Sequence, residues 1–224
     1  MAAIRATEVL ARIRSLLDPR AHPAAAGLFL DRDGTLIELE PYLCDPQRVR
    51  LIPGAAGALR RAREAGYRLV VASNQSGVAR GLYGDEAVRA VEARVRELLE
   101  TEGVTVDGFY HCPHHPEHTG RCQCRKPAPG MLLLAARELG LDLDRSFMVG
   151  DTPADLQAGA AAGCRSLLVR TGYGGRERER GEHREALGDG GAARPAASVE
   201  SLEQAVEAIL AGRTLDPRQG QIAD

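Results

Sequence analysis

An α/β fold, built on a doubly wound parallel sheet, follows from three features of the sequence. Short apolar runs of strand length, at 27–30, 68–72, 147–149 and 166–169, recur along the 224 residues. Stretches of helical periodicity separate them. The strand runs are continuously apolar, which is the pattern of strands buried on both faces under layers of helices. Polar clusters at 31–35, 73–77 and 150–155 each begin where a strand stops. In open α/β sheets the ligand binds beyond the carboxyl ends of the strands, so these clusters are expected on one rim.

The elements run as follows. Residues 4–17 alternate apolar and basic groups at helical spacing until Pro19 and Pro23, so 1–26 reads as an N-terminal helix and connector. The strand 27–30 leads into Asp31-Arg32-Asp33-Gly34-Thr35. Pro53-Gly54 opens a helix to about Ala65, which Gly66 closes. The strand 68–72 ends in the turn Ser73-Asn74-Gln75-Ser76-Gly77, and a long helix over about 85–102 starts from an Asp85 cap. Phe109-Tyr110 forms a strand entering a Cys/His segment, and 129–139 a helix stopped by Gly140. Then come strand 147–149, helix 153–162 with Gly163 behind it, and strand 166–169. Residues 172–195 are rich in Gly, Arg and Glu; Arg176, Arg178 and Arg180 alternate with Glu177 and Glu179, as in a solvated loop. A last helix covers 201–210, and 213–224 is a tail. One folded domain, 27–212, thus carries a loop at 111–126 between its flanking segments.

Bulk properties narrow the function. Basic and acidic side chains number 29 and 31, for a net charge of -2. A nucleic-acid groove needs a concentrated basic face, which is not expected here. Apolar runs such as 28–30 and 69–72 are too short to span a bilayer, and no signal-peptide core follows Arg5, Arg12 and Arg14. The expectation is a cytoplasmic protein, monomeric, acting on a small molecule without nucleic-acid or membrane partners.

Asp31 and Asp33 stand one residue apart after a strand, and two such carboxylates repel unless a cation or shared proton intervenes. Asp151 follows another strand, with Asp155 one turn later. Any one of these alone reads as a turn cap. Together at adjacent strand ends they form an oxygen-rich nest that suits Mg²⁺. Ser73 and Lys126 add the hydroxyl and cation that a phosphate oxygen requires.

A second constellation is Cys112-Pro113-His114, seven residues, then Cys122-Gln123-Cys124. Three of the five cysteines cluster here with histidine, which points to metal and away from disulfides. Three sulfurs and one imidazole suit tetrahedral Zn²⁺ in a structural site. His111, His115 and His118 are alternatives for the nitrogen ligand, with His114 preferred because Cys-x-His mirrors Cys-x-Cys. Cys44 and Cys164 read as packing residues.

Phe29-Leu30-Asp31-Arg32-Asp33-Gly34-Thr35-Leu36 resembles the first motif of the haloacid dehalogenase superfamily of phosphatases. Ser73-Asn74-Gln75 is similar to the second, Lys126 to the third, and Gly150-Asp151 with Asp155 to the fourth. The resemblance covers about 27–172 and implies a Rossmann-like core. It implies Asp31 as nucleophile, Asp33 as general acid and base, and Ser73 and Lys126 as ligands of the phosphate oxygens. Mg²⁺ would be held by Asp31, the Asp33 carbonyl and Asp151, with Asp155 orienting Lys126 or the metal ligands.

The zinc loop, with Asn74-Gln75-Ser76-Gly77-Val78-Ala79-Arg80-Gly81 and Val169-Arg170-Thr171-Gly172, resembles the heptose 1,7-bisphosphate phosphatase branch. Histidinol-phosphate phosphatases, of the same mechanism, are its relatives and the alternative reading; Ser76-Gly77-Val78-Ala79-Arg80-Gly81 favours the heptose branch. This resemblance supports His114 as zinc ligand and implies release of the 7-phosphate, with Arg125 and Tyr42 recognising substrate. Asn74, Gln75 and Ser76 join Ser73 and Lys126 in binding it. About forty residues between Asp33 and Ser73 leave no room for a large cap domain. A catalytically silent sugar-phosphate binding protein would lack Asp31 or Asp33, and both are present.

Overall fold

The computed structural model describes residues 24–173 and 197–212. The expected helix over 4–17, nearly all of the 172–195 loop and the 213–224 tail lie outside the described residues. Six strands form one sheet: β1 (Ala25–Leu30), β2 (Arg68–Asn74), β3 (Gly108–Cys112), β4 (Leu141–Gly150), β5 (Arg165–Val169) and β6 (Ala197–Val199). Their order is β3-β2-β1-β4-β5-β6, and every pairing is parallel.

The helices are α1 (Ala55–Glu64), α2 (Asp85–Thr101), α3 (Pro116–Thr119), α4 (Gly130–Leu139), α5 (Pro153–Ala162) and α6 (Leu202–Leu210), with a 3₁₀ turn at Pro46–Arg48. Alternation hidden inside the apolar strand runs separates the two faces of the sheet. Leu28, Leu30, Leu69, Val71, Val149 and Leu167 pack with α1, α2 and α6. Phe29, Val70, Ala72 and Met148 pack with Met131, Leu132 and Ala135 of α4 and Ala162 of α5. Each such Leu, Phe or Val contributes roughly 1.5–3 kcal/mol by leaving water.

Among the described residues no separate cap domain appears; the chain after β1 returns through Ile37, which bridges to Asp33 and Leu51. No described helix is long and apolar enough to cross a membrane.

The sequence reading of the elements needs three corrections. Gly84 is the cap of α2, and Asp85 is its first residue; the Asp85 carboxylate bonds Arg89 and His111 and so does not close the helix end. β4 is ten residues long, because its polar first half pairs with Ala25 and Ala26 across a register shift that hydropathy does not reveal. β6 has three residues and pairs with β5 from Leu167 to Val169, a strand set by its neighbour and not by its own composition.

Candidate active site

β1 lies in the middle of the sheet, between β2 and β4, and these three strands deliver the polar groups to one rim. Asp31 leaves β1 with its N–H donating to the Val149 carbonyl at 2.9 Å, which extends the ladder one residue into the site. Ser73 and Asn74 end β2, and Asp151 follows β4.

Lys126 is buried at this rim. Its Nζ lies 2.9 Å from Asp31 Oδ1 and 2.5 Å from Asp155 Oδ1, and donates to the Ala72 carbonyl at 2.7 Å. Burial alone would lower the ammonium pKa, but the two carboxylates outweigh it and raise it. Asn74 grips the backbone of the lysine from both sides: Lys126 N–H donates to Oδ1 and Nδ2 donates to Lys126 O, each at 3.0 Å. Asp155 is held in turn, since its Oδ2 accepts from Thr152 N–H at 3.0 Å and from the Thr152 hydroxyl at 2.6 Å, closing a capping box on α5.

Carboxylate oxygens of Asp31, Asp151 and Asp155 all lie within 4.8 Å of one another. Burial pushes the Asp31 carboxyl up to about 7 although Lys126 pulls it down. Burial and the Asp31 charge push Asp151 up to about 8. Asp151 Oδ2 accepts from Tyr173 N–H at 2.7 Å, while its buried Oδ1 has no hydrogen-bond partner. An under-neutralised oxygen nest with one orphaned acceptor fits a hard divalent cation such as Mg²⁺. The side chain of Asp33 does not join the nest: it is taken by Arg32 and Gln75, so any contact with that cation falls to the backbone carbonyl.

Gly172 lets the chain close over this carboxylate. Its φ is +68°, and a Cβ there would stand 2.2 Å from Asp151 Oδ2 and 2.6 Å from the Gly34 Cα.

A cleft of about 350 Å³ opens above these groups. Asp31, Asp33, Ser73, Asn74, Gln75, Ser76, Arg125 and Lys126 all line it, as does Tyr42. Tyr42 sits at φ 54°, a left-handed conformation uncommon for a tyrosine, and its ring is exposed.

Sequence reasoning missed three lining residues. Arg32 is almost fully buried and pairs with Asp33 at 2.9 Å; its signal was a cation between two aspartates. Tyr83 donates to Gln75 Oε1 at 3.2 Å, and burial raises its phenol above the ordinary value. Tyr173 contributes a backbone donor, which no side-chain pattern announces.

The second constellation also assembles. Cys112 Sγ lies 3.6 Å from His114 Nδ1, 3.6 Å from Cys122 Sγ and 3.1 Å from Cys124 Sγ. Cys124 Sγ is 3.4 Å from Cys122 Sγ and 3.2 Å from His114 Nδ1. A tetrahedron with Zn–S bonds of about 2.3 Å has edges of roughly 3.8 Å, so the four atoms surround a point where Zn²⁺ fits. The sulfurs are too far apart for disulfides, and all five cysteines are free. His111 is engaged elsewhere, by Glu92 at 2.9 Å and Asp85 at 2.7 Å. His115 bonds Arg80 at 3.0 Å, and with Glu117 and exposed His118 forms a separate group. The loop reaches the cleft through Arg125, which donates to the His114 carbonyl at 3.1 Å.

Comparison with known proteins identifies the family. The family model of haloacid dehalogenase-like hydrolases matches residues 43–163, and a HAD-hydrolase-like model matches 123–205. The D-glycero-beta-D-manno-heptose-1,7-bisphosphate 7-phosphatase of Yersinia pestis is 43% identical over 151 residues, covering 65% of this chain and 80% of that protein. The D-glycero-D-manno-heptose-1,7-bisphosphate 7-phosphatase of Thermosynechococcus vestitus is 41% identical over 191 residues, covering 81% and 94%. The crystal structure of D,D-heptose 1,7-bisphosphate phosphatase from B. bronchiseptica, complexed with magnesium and phosphate, superposes with a TM-score of 0.70 at 36% identity, covering 83% of this chain and 99% of that one. With its sheet order, its strand-end carboxylates and these matches, the chain belongs to the haloacid dehalogenase-like hydrolases.

Proposed function

We propose that this protein is a phosphatase that transfers a phosphoryl group to Asp31 and then to water, acting on the 7-phosphate of D-glycero-D-manno-heptose 1,7-bisphosphate. The observation that carries the chemistry is Asp31 held 2.9 Å from Lys126 Nζ at the floor of the cleft, with Asp33 beside it. The two hydrogen-bonding partners of the Asp31 carboxylate, Lys126 and the Arg32 N–H at 2.7 Å, both hold Oδ1. Oδ2 is then the atom that attacks phosphorus.

The P–O bond to the sugar breaks as the Asp31–phosphorus bond forms, and Asp33 gives its proton to the departing oxygen. In the second step Asp33 takes a proton from water, which attacks the acyl phosphate, releases inorganic phosphate and restores Asp31. Ser73 and Lys126 bind the phosphate oxygens, where charge spreads in the transition state. Asp31, Asp151 and the Asp33 carbonyl would hold Mg²⁺, which would supply charge neutralisation between phosphate and carboxylates. Asp155 keeps Lys126 in place.

Cys112, His114, Cys122 and Cys124 would hold Zn²⁺ as a structural ion, which would stiffen the loop carrying Arg125 and Lys126. The substrate assignment is supported by the names of the relatives and by the cleft residues Tyr42, Asn74, Ser76 and Arg125.

Phosphate release with Mg²⁺ tests the reading, comparing both anomers of heptose 1,7-bisphosphate with histidinol phosphate and using Asp31→Asn as the blank. The expected result is strong preference for a heptose bisphosphate, none of it in the blank, from protein carrying one zinc by metal analysis. Preference for histidinol phosphate would overturn the substrate and keep the chemistry. Release in the Asp31→Asn protein equal to wild type would overturn the chemistry.

A further inference from the structure

Gln75 is 3% exposed at the floor of the cleft, and both ends of its amide are engaged. Nε2 donates to Asp33 Oδ2 at 2.9 Å and to Ser73 Oγ at 2.7 Å, which uses both of its hydrogens. Oε1 accepts from the Tyr83 hydroxyl at 3.2 Å. Once Asp33 has given its proton away its carboxylate can only accept, and the amide nitrogen faces it in that state; the opposite flip would set a carbonyl against a carboxylate. Tyr83 supplies the donor that satisfies the other end and holds this orientation. Its ring lies directly on the turn: a Cβ at Gly77 would come within 2.3 Å of it.

Ser73 follows the same logic. Because its oxygen accepts from Gln75, its own hydrogen is the one left to give. A side chain so committed has no N–H to offer a sugar, which departs from the expectation that Gln75 binds substrate.

We propose that Gln75, its amide oriented by Tyr83, is a positioning residue that stations the Asp33 carboxyl for proton transfer to the leaving oxygen and turns the Ser73 hydrogen toward phosphate. The inference rests on the phosphatase reading above.

The leaving group tests it. A sugar alkoxide must be protonated as it departs, whereas p-nitrophenolate departs without a proton, so a misplaced Asp33 slows the first far more. Single-turnover formation of the Asp31 acyl phosphate, with Mg²⁺, is followed by acid quench from heptose 1,7-bisphosphate and from p-nitrophenyl phosphate. Gln75→Leu is expected to lower the alkyl-to-aryl rate ratio roughly 30-fold and Tyr83→Phe about 5-fold, with half-saturation within about threefold of wild type. Ser73→Ala removes a phosphate ligand common to both esters and is expected to slow both alike.

Weaker half-saturation at an unchanged rate in Gln75→Leu would return the residue to the substrate contacts and overturn the inference. An unchanged ratio in either variant would do the same. If Gln75→Leu does not fold by circular dichroism, Tyr83→Phe, which removes a single oxygen, decides alone. Wild-type protein that forms no acyl phosphate and releases no inorganic phosphate from either ester would instead sink the phosphatase reading, and the inference with it.

Discussion

Among the individual side chains, several that line the cleft are fixed by groups behind them. Asp151 is the clearest case, closed in by the Gly172 backbone and by Tyr173 N–H at 2.7 Å. Gly172→Ala places a methyl group where that carboxylate oxygen now stands and strains a φ of +68°. It is expected to raise the Mg²⁺ concentration for half-maximal activity about 10- to 100-fold, the size seen when the support of a metal ligand is lost. A Mg²⁺ titration of phosphate release checks this; an unchanged midpoint would mean that Asp151 is not held for a cation. The acidic positions themselves were readable from sequence, because Asp31, Asp33, Asp151 and Asp155 follow strands that hydropathy locates well. Which oxygen faces which partner was not readable. Arg32 at 1% exposure, or Asp33 turned to Gln75 42 positions away, depends on how loops fold back after the strands end.

Between elements, one carboxylate ties three together at the end of the sheet away from the site. Asp107, just before β3, accepts from Leu69 N–H of β2 at 2.9 Å and pairs with Arg63 of α1 at 2.8 Å and Arg68 of β2 at 2.7 Å. Burial pushes its carboxyl up, but the Leu69 N–H and the two arginines outweigh that and leave it lowered. A lowered pKa in the folded state stabilises at all pH above the ordinary value of 3.8, and that contribution is lost as pH falls through the folded-state value. Asp107→Asn is therefore expected to cost about 1–2 kcal/mol at pH 7, mostly through the charged bond to Leu69 since the arginines are partly exposed. The difference should shrink toward pH 3 in urea melts; a constant difference across that range would exclude the charge as its source. Most elements were found from apolar period and glycine stops, α5 to the residue. The tie at Asp107, the 3₁₀ turn and the short α3 carry too little apolar pattern to be seen.

For the molecule as a whole, the absence of a separate cap among the described residues makes the rim of the cleft the place where selection is expected. Arg125 lines that rim and is anchored to the His114 carbonyl at 3.1 Å. Arg125→Ala is expected to lower kcat/KM for the bisphosphate roughly 10- to 100-fold, the worth of a lost hydrogen bond to a charged group, while p-nitrophenyl phosphate turns over within about twofold. Equal losses on both esters would put Arg125 in the chemistry and not in recognition. The parallel sheet was predictable from the strand runs; its outer strand β6 was not, because three residues beside a polar stretch form a strand only when β5 is there to pair with. The two-sided grip of Asn74 on the Lys126 backbone has a consequence for how such a protein can be remodelled. It ties Lys126 to β2 by a link separate from the Cys/His cluster, so the stretch between His114 and Cys122 is where an exchangeable cassette would be placed. Loops of other lengths and sequences could be spliced there to change what the protein accepts, with the reacting groups left in register.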